Sequence, residues 1–452
     1  MKTKRRGSNM QRYNKYKDSG ISWLGEIPEH WECKRIKYLF KEINERSLDG
    51  GEDLLSISQY TGVTKKSDKI ENGDLLTTAS TLEGYKIVRK RQLVTNIMLA
   101  WNGSLGFSEF NGITSPAYCI YELSTNDYYK YFHYLFKTDV YKSEFKRNSS
   151  GVIESRLRLY TDDFFNIWSV LPPLHEQEAI AAFLDEKCEK IDAIVSIKEQ
   201  QIEKLKELRQ ITIHNAVTKG INPNTEMKDS GIEWIGEIPK HWKMKRLKYL
   251  FNIVGGGTPS KEKLIFWDGD LPWVSPKDMK LLHIDTTEDY ITEEALKYSS
   301  TKLIKKGSLL IVVRSGILQR TIPLAFAGRD MTINQDLKAF IQTSDLSENF
   351  LYYFIKGCEN FLLNEWVKEG ATVESIEMSL MLDNLTLVPP FSEQQEIVTY
   401  LEERTSKIDQ AISQKQEQIT KLKEYKQSLI NEVVTGKVRI NDKQLMATDK
   451  QN

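Results

Sequence analysis

A 23-residue segment occurs twice in this chain, and any fold must accommodate both copies. Residues 18–40 read DSGISWLGEIPEHWECKRIKYLF and residues 229–251 read DSGIEWIGEIPKHWKMKRLKYLF. Seventeen positions are identical at a shift of 211, and others exchange like for like, as Leu24 with Ile235 and Ile36 with Leu247. Further on, LPPLHEQEAIAAFLDEK (171–187) is answered by VPPFSEQQEIVTYLEER (388–404), at a shift of 217 that holds without a gap from Pro172 to Thr218. Between them, SSGVIESR from Ser149 echoes KEGATVESIE from Lys368. Self-similarity at a fixed shift marks a duplicated structural unit. Each unit consists of an opening motif, a body of about 130–140 residues, a Pro-Pro pair and a long polar-apolar tail.

The tails predict helices. Pro172-Pro173 and Pro389-Pro390 end whatever precedes them. Neither tail then meets Pro or Gly until Gly220 and Gly436, a run of about 44 residues or about 65 Å of helix. A helix that long wants a partner helix. In the first tail, seven-residue spacing puts Ile191, Lys198 and Leu205 with Thr212 in one row, and Ile194, Gln201 and Leu208 with Asn215 in the next. Val195 and Ile202 widen the stripe. The second tail matches with Ile408, Lys415, Leu422 and Leu429 in one row, Ala411, Gln418 and Tyr425 in the other, and Ile412 and Ile419 on the flank. Two helices with the same stripe in one chain are expected to pack on each other, their Lys and Gln layers fixing register at some cost in stability.

The bodies, by contrast, diverge. Short runs rich in Val, Ile, Leu, Thr and Tyr, cut by Gly, Asp and Asn, read as strands and turns. DYYKYFHYLFKTDVYKSEF and ENFLYYFIKGCENFLLNEW read as helices late in each body. The expected fold is α+β: two mixed, strand-rich domains joined by two long antiparallel helices in a coiled coil. The boundaries are a basic tail 1–17, domain one 18–173, helix one 174–219, domain two 220–390, helix two 391–437 and a tail 438–452. Duplicates that keep a frame and change their bodies are expected to hold two different recognition tasks in equivalent ways.

Composition narrows the chemistry. The 452 residues carry 63 Lys plus Arg against 63 Asp plus Glu, so any nucleic-acid contact must come from a patch rather than from net charge. The first 17 residues hold seven Lys or Arg and no acid. Four cysteines lie far apart, which supports neither a disulfide framework nor a structural zinc. No apolar run reaches membrane-spanning length and the basic start lacks a signal peptide's hydrophobic stretch, so a cytoplasmic protein is expected. A catalytic set is missing from the motifs: no nucleotide-binding GxxxxGK[ST], no HExxH, no GxSxG, and no Asn- or Asp-Pro-Pro-Tyr segment of the amino-methyltransferase kind. GGGTPSKEK from Gly255 has the glycines of a phosphate loop without its spacing. His30 and His241 sit in the repeated motif, where packing or hydrogen bonding is the expected role.

The motifs together resemble the specificity subunit of type I restriction-modification systems, over about residues 18–437. GEIPEHWECKRIKYL and its copy carry the resemblance, as do the two PPxxEQ segments, GGGTPSKEKLIFWDGDLPWVSPKDM (255–279) and NIMLAWNGSLGFSEFNGITSPAYCIY (96–121). The resemblance implies that each body is a target-recognition domain reading one half of a split, asymmetric site in double-stranded DNA. It implies that the paired helices set the gap between half-sites and dock two methyltransferase (modification) subunits, with restriction/translocase subunits added for cleavage. The chain itself is then non-catalytic and binds no cofactor; S-adenosylmethionine, ATP and Mg belong to the partner subunits, which methylate adenine at N6. The alternative is a coiled-coil scaffold whose two domains bind proteins.

Base reading needs Arg, Lys, Asn, Gln or hydroxyl side chains on loops, and phosphate contacts need Lys, Arg or backbone N–H groups. On that basis the DNA-binding candidates in the first body are Thr77, Thr78, Ser80, Lys86, Trp101, Asn102, Ser104 and Arg147. Those in the second are Thr258, Ser260, Lys261, Lys263, Ser275, Lys277, Arg314, Ser315 and Arg320. For Trp101, as for Trp267 and Trp273, packing beneath the loop is the expected role against which DNA contact is weighed. Glu154 and Glu374 recur in the frame echo and are expected to serve structure or partners.

Overall fold

The computed structural model describes residues 11–59, 61–69, 81–153, 157–368 and 373–440. The chain divides into two compact units: residues 1–198 with 417–452, and residues 199–416. Each unit therefore contains one body and one half of each long helix. Those helices run Leu174–Lys219 and Phe391–Val434, unbroken by proline or glycine.

The first unit centres on a four-stranded antiparallel sheet in the order Phe40–Ile43, Tyr118–Leu123, Leu93–Asn96, Leu105–Phe107. Helices Tyr129–Leu135, Asp139–Arg147 and Thr161–Asn166 lean on it. Their aromatic faces, with Tyr131, Phe132, Phe136, Tyr141, Phe145 and Phe164 fully buried, build one core that takes in Leu184 and Val433 from the long helices. In the second unit the main sheet has five strands, Phe251–Gly255, Leu337–Gln342, Leu309–Val312, Leu324–Ala327 and His283–Ile284, the last pair parallel. A second sheet runs Asp289–Ile291, Trp267–Val274, Met331–Ile333, Leu303–Ile304. The two bodies thus differ in strand number and pairing, in keeping with their divergent sequences.

The repeated segments build the same structure in both units. Tyr16–Asp18 pairs with Glu26–Pro28, as Met227–Asp229 pairs with Glu237–Pro239. The next strand, Glu32–Arg35 or Lys243–Arg246, pairs with the strand ahead of the Pro-Pro pair, Trp168–Leu171 or Leu385–Val388. Gly220 and Gly436, both at φ +74°, end the long helices in the left-handed region that glycine adopts without strain. A Cβ at Gly436 would lie 2.4 Å from Pro28, so the helix end could not seat against the motif with any other residue.

Within each unit the long helices run antiparallel. In the first, Lys426 Nζ meets Asp192 at 2.6 Å and Lys198 Nζ donates to Gln418 at 2.6 Å. In the second, Arg209 Nε meets Asp409 at 2.9 Å and Lys415 Nζ donates to Gln201 at 2.6 Å. Each contact is the other's counterpart at the 217-residue shift. The seam corrects the sequence expectation by one residue in its second row. Val195 and Ile202 are buried, whereas Ile194 and Leu208 are 43% and 50% exposed. In the second helix Ile419 is buried and Tyr425 is 46% exposed, with Ala411 half-buried. The row led by Ile191, Lys198 and Leu205, with Ile408, Lys415 and Leu422, does face the partner helix, its lysines half-buried along their stems. Gln201 and Gln418 reach across from the exposed rim.

Candidate nucleic-acid interface and its frame

The PPxxEQ segment is the joint of each unit. Gln177, fully buried, accepts from the Tyr128 N–H at 2.9 Å and donates to Asp127 Oδ1 at 2.7 Å and the Pro172 carbonyl at 2.9 Å. Gln394, also fully buried, accepts from the Ser347 N–H at 2.9 Å and donates to the carbonyls of Asp345 and Pro389 at 2.7 and 3.0 Å. One amide thus clips the start of the long helix to the start of the body helix. The glutamate before it grips the opening motif. Glu176 accepts from the Trp31 indole at 3.0 Å and Tyr13 hydroxyl at 2.9 Å, and bonds His30 Nε2 at 2.5 Å. Glu393 accepts from the Trp242 indole at 3.1 Å and bonds His241 at 2.8 Å. Burial, then the neighbouring Glu176 charge, pushes the Tyr13 hydroxyl's pKa well up, so it stays a donor. His30 and His241 therefore belong to the frame. The signal for the glutamate's and glutamine's roles was present in the repeated EQ pairs, but their partners lie far away in sequence.

Candidate DNA contacts divide sharply by exposure. In the first unit Thr77, Thr78 and Ser80, like Glu154, lie outside the described residues. Lys86 is a correction: it starts a strand whose alternation turns Lys86 and Val88 inward, leaving the lysine 6% exposed with Nζ 3.9 Å from Glu42. Ser104 is a second, 3% exposed and donating to Asn102 Oδ1 at 2.9 Å. The turn Ala100–Asn102 packs on helix Asp139–Arg147, bringing Lys146 over the half-buried Trp101 ring at 5.3 Å. Trp101 also spends its indole N–H on the Met98 carbonyl at 3.0 Å. Arg147, exposed, bonds the buried Glu144 at 2.9 Å. Trp101, Asn102 and Lys146 thus form one surface, and Lys146 is a member that sequence reasoning missed.

In the second unit Ser275 is a further correction: 6% exposed, it closes a capping box with Asp278 at 2.8 and 2.9 Å. Lys277 is exposed but held between Glu288 at 2.8 Å and Asp289 at 3.0 Å, whose hydrogen bonds raise its pKa. Ser315 caps the turn Gly316–Gln319, and Thr258, half-buried, bonds Gln335. That leaves Ser260, Lys261, Lys263, Arg314 and Arg320 as exposed groups, of which the four cations make no ion pair among the described residues. Trp273 is buried with its indole on the Gly257 carbonyl at 2.9 Å, and Trp267 donates to the Ser260 carbonyl at 3.1 Å, so both pin the glycine-rich loop from below. Glu374 holds that role for the next loop, its carbonyl accepting from Ser315 N–H and its carboxylate from Gln319.

Residues 239–421 match the family described as the type I restriction modification DNA specificity domain. The chain is 41% identical over 178 residues to the specificity subunit of the type I restriction enzyme EcoR124I/EcoR124II of Escherichia coli, covering 39% of this chain and 41% of that relative. It is 23% identical over 451 residues to the MjaVIII specificity subunit of Methanocaldococcus jannaschii, covering 92% of this chain and 95% of that one. The family match thus lies in the second half of the chain, and the chain spans less than half the length of the E. coli relative it matches. Solved structures carry the same fold. A chain from a study of complex assembly and conformational transition of the type I R-M system superposes with a TM-score of 0.71 at 16% identity, over 90% of this chain and 98% of that one. The HsdS subunit of Thermoanaerobacter tengcongensis does so at 0.54 and 18%, over 91% and 98%. Among the described residues, no helix is long and apolar enough to cross a membrane.

Proposed function

We propose that this chain is a type I specificity subunit that reads a bipartite, asymmetric site in double-stranded DNA, one half per body, and directs N6-adenine methylation by two modification subunits, with restriction by further subunits. The observation that carries this reading is the pairing of equal joints with unequal bodies. Gln177 and Gln394 make matching hydrogen bonds, while the sheets they orient differ in strand number and order. Two unlike readers give a non-palindromic site. The long helices act as the spacer, since one base pair added to the gap moves a half-site by about 3.4 Å and turns it by about 36°. Exposed Lys261, Lys263, Arg314 and Arg320 suit phosphate or base contacts in the second half. S-adenosylmethionine, ATP and Mg are supplied on the partner subunits, and this chain contributes recognition and assembly in the cytoplasm.

The test is co-expression with a modification subunit followed by genome-wide mapping of methylated adenines. A split asymmetric motif is expected. Exchanging residues 252–387 for another body should change one half of the motif and leave the other intact. No sequence-specific methylation, or a change in both halves, would refute the reading in favour of a protein-binding scaffold.

A further inference from the structure

Most of the repeated opening motif is explained by what it packs against. Trp31 and Trp242, Ile36 and Leu247, Leu39 and Leu250, and Phe40 and Phe251 are buried. Elsewhere exposed positions have drifted: Ser22 has become Glu233, Glu29 has become Lys240, and Glu32 has become Lys243. Others have not: beside Glu26 with Glu237 and His30 with His241, one basic-aromatic group is retained. Lys34-Arg35, Lys37 and Tyr38 recur as Lys245-Arg246, Lys248 and Tyr249. Tyr38 and Tyr249 are 63% and 67% exposed, far above what packing of their rings would require. Each closes a single helical turn, Ile36–Tyr38 or Leu247–Tyr249, anchored by a buried aliphatic residue. On both, a lysine lies over the ring: Lys37 Nζ at 5.0 Å from Tyr38, Lys248 Nζ at 5.3 Å from Tyr249. Large aromatic rings set outward with cations beside them contribute little to the fold of either unit. Their retention in both copies calls for an outside contact that is the same at both.

We propose that these two platforms dock two copies of one protein partner, each presenting an acidic face with an apolar recess for the tyrosine ring. This rests on the reading above, in which two modification subunits assemble with the chain, and it names where each is held. A nucleic-acid backbone would also be the same at both sites, but the local charges disfavour it. Asp383 lies 2.6 Å from Lys248 and 3.4 Å from Arg246, and Glu32 lies 2.9 Å from Lys34. Each platform thus sets a carboxylate among its cations, where a phosphate chain would be repelled. A protein surface accommodates such mixed charge, and Tyr and Arg are the residues enriched where proteins meet.

The experiment uses the full chain co-purified with the modification subunit, with mass read by light scattering and affinity by titration. Wild type is expected at two partner copies. The pair Lys37→Ala with Tyr38→Ala should leave one copy, as should Lys248→Ala with Tyr249→Ala, and all four together should leave none at micromolar concentration. Each site is expected to lose about 30-fold or more in affinity. Because the four side chains are exposed, thermal unfolding should stay unchanged, and Lys37→Arg with Lys248→Arg should retain both copies. Variants that still hold two copies at wild-type affinity would overturn the platforms while leaving the DNA-reading function standing. So would variants that hold two copies but lose salt-sensitive DNA binding, which would assign the surface to phosphate. A wild type that holds no partner would remove the functional reading and the platforms together.

Discussion

Replacing Gln177 by alanine should loosen the first unit alone, and replacing Gln394 the second alone. Each side chain is fully buried and makes three hydrogen bonds, at 2.9, 2.7 and 2.9 Å for Gln177 and 2.9, 2.7 and 3.0 Å for Gln394. Truncation strands the Tyr128 N–H and Pro172 carbonyl in one case, and the Ser347 N–H and the Asp345 and Pro389 carbonyls in the other. A net contribution of about 0.5–1.5 kcal/mol per bond, with a penalty of about 1–3 kcal/mol for any group left dry, puts each substitution at about 2–4 kcal/mol. Because the chain has two units, a single unfolding midpoint is a poor measure. Amide hydrogen exchange resolves the effect locally. The Tyr128 amide should lose protection in Gln177→Ala by a factor of about 30 or more while the Ser347 amide keeps its own, and the pattern should invert in Gln394→Ala. The exposed Gln200→Ala serves as control. Equal loss of protection in both units from either variant, or loss no greater than in the control, would refute the claim that each glutamine is an independent joint.

Ile202→Ala and Ile419→Ala, at side chains 5% and 1% exposed, should each cost about 2–5 kcal/mol in denaturant titration, whereas Ile194→Ala, 43% exposed, should cost less than about 0.5 kcal/mol. Burial, reinforced by the nearby Lys137 charge, lowers the His133 pKa to about 3. The unfolded chain then binds the extra proton below about pH 6.5 and the folded chain does not, so stability should fall as pH drops from 6.5 toward 3; His133→Phe should flatten that part of a pH–stability profile. For the assembled complex on its DNA motif, Arg314→Ala and Arg320→Ala should weaken binding, each reducing the slope of log affinity against log salt by about 0.9 where it contacts a phosphate; an unchanged slope together with an unchanged motif would exclude both as contacts. Tyr13→Phe removes one donor from Glu176 and should destabilise the first unit by about 1 kcal/mol, read as faster exchange around Trp31.

The frame was legible in sequence because its signals are local or duplicated. Pro-Pro pairs, Gly220 and Gly436 mark the helix ends wherever the rest of the chain goes, and the repeat itself fixes equivalence. The helix seam was read one residue off in its second row. Ile194 and Leu208 look like core by composition, yet a partner running antiparallel turns the stripe toward Val195 and Ile202. The DNA candidates were legible only as residue types. Lys86 and Ser275 carry the right chemistry on the wrong side of the backbone: one on the inward phase of a strand, the other in a capping box. Hydrophobic periodicity is weak in strands of three or four residues, so their facing had no sequence signal.

The two joints are equal in design and unequal in detail, and the difference follows from how the chain enters each unit. In the second unit the opening motif comes directly from the long helix through Gly220, and the residue at Tyr13's position under the 211 shift is Asn224, whose N–H donates to the Asn222 side chain within its own turn. The first unit is closed differently. There the chain before the motif is tied instead to the end of the second long helix: Tyr16 donates to the Gly436 carbonyl at 3.1 Å, Gln11 bridges Arg439, and Tyr13 supplies Glu176 with a third donor. Glu176 is correspondingly the more enclosed carboxylate, 12% exposed against 19% for Glu393. A noncovalent closure in the first unit thus takes the place of the covalent link in the second. Two joints built on the same Glu-Gln pair are thus closed in two ways, one through the chain at Gly220 and one through hydrogen bonds to the end of the second long helix.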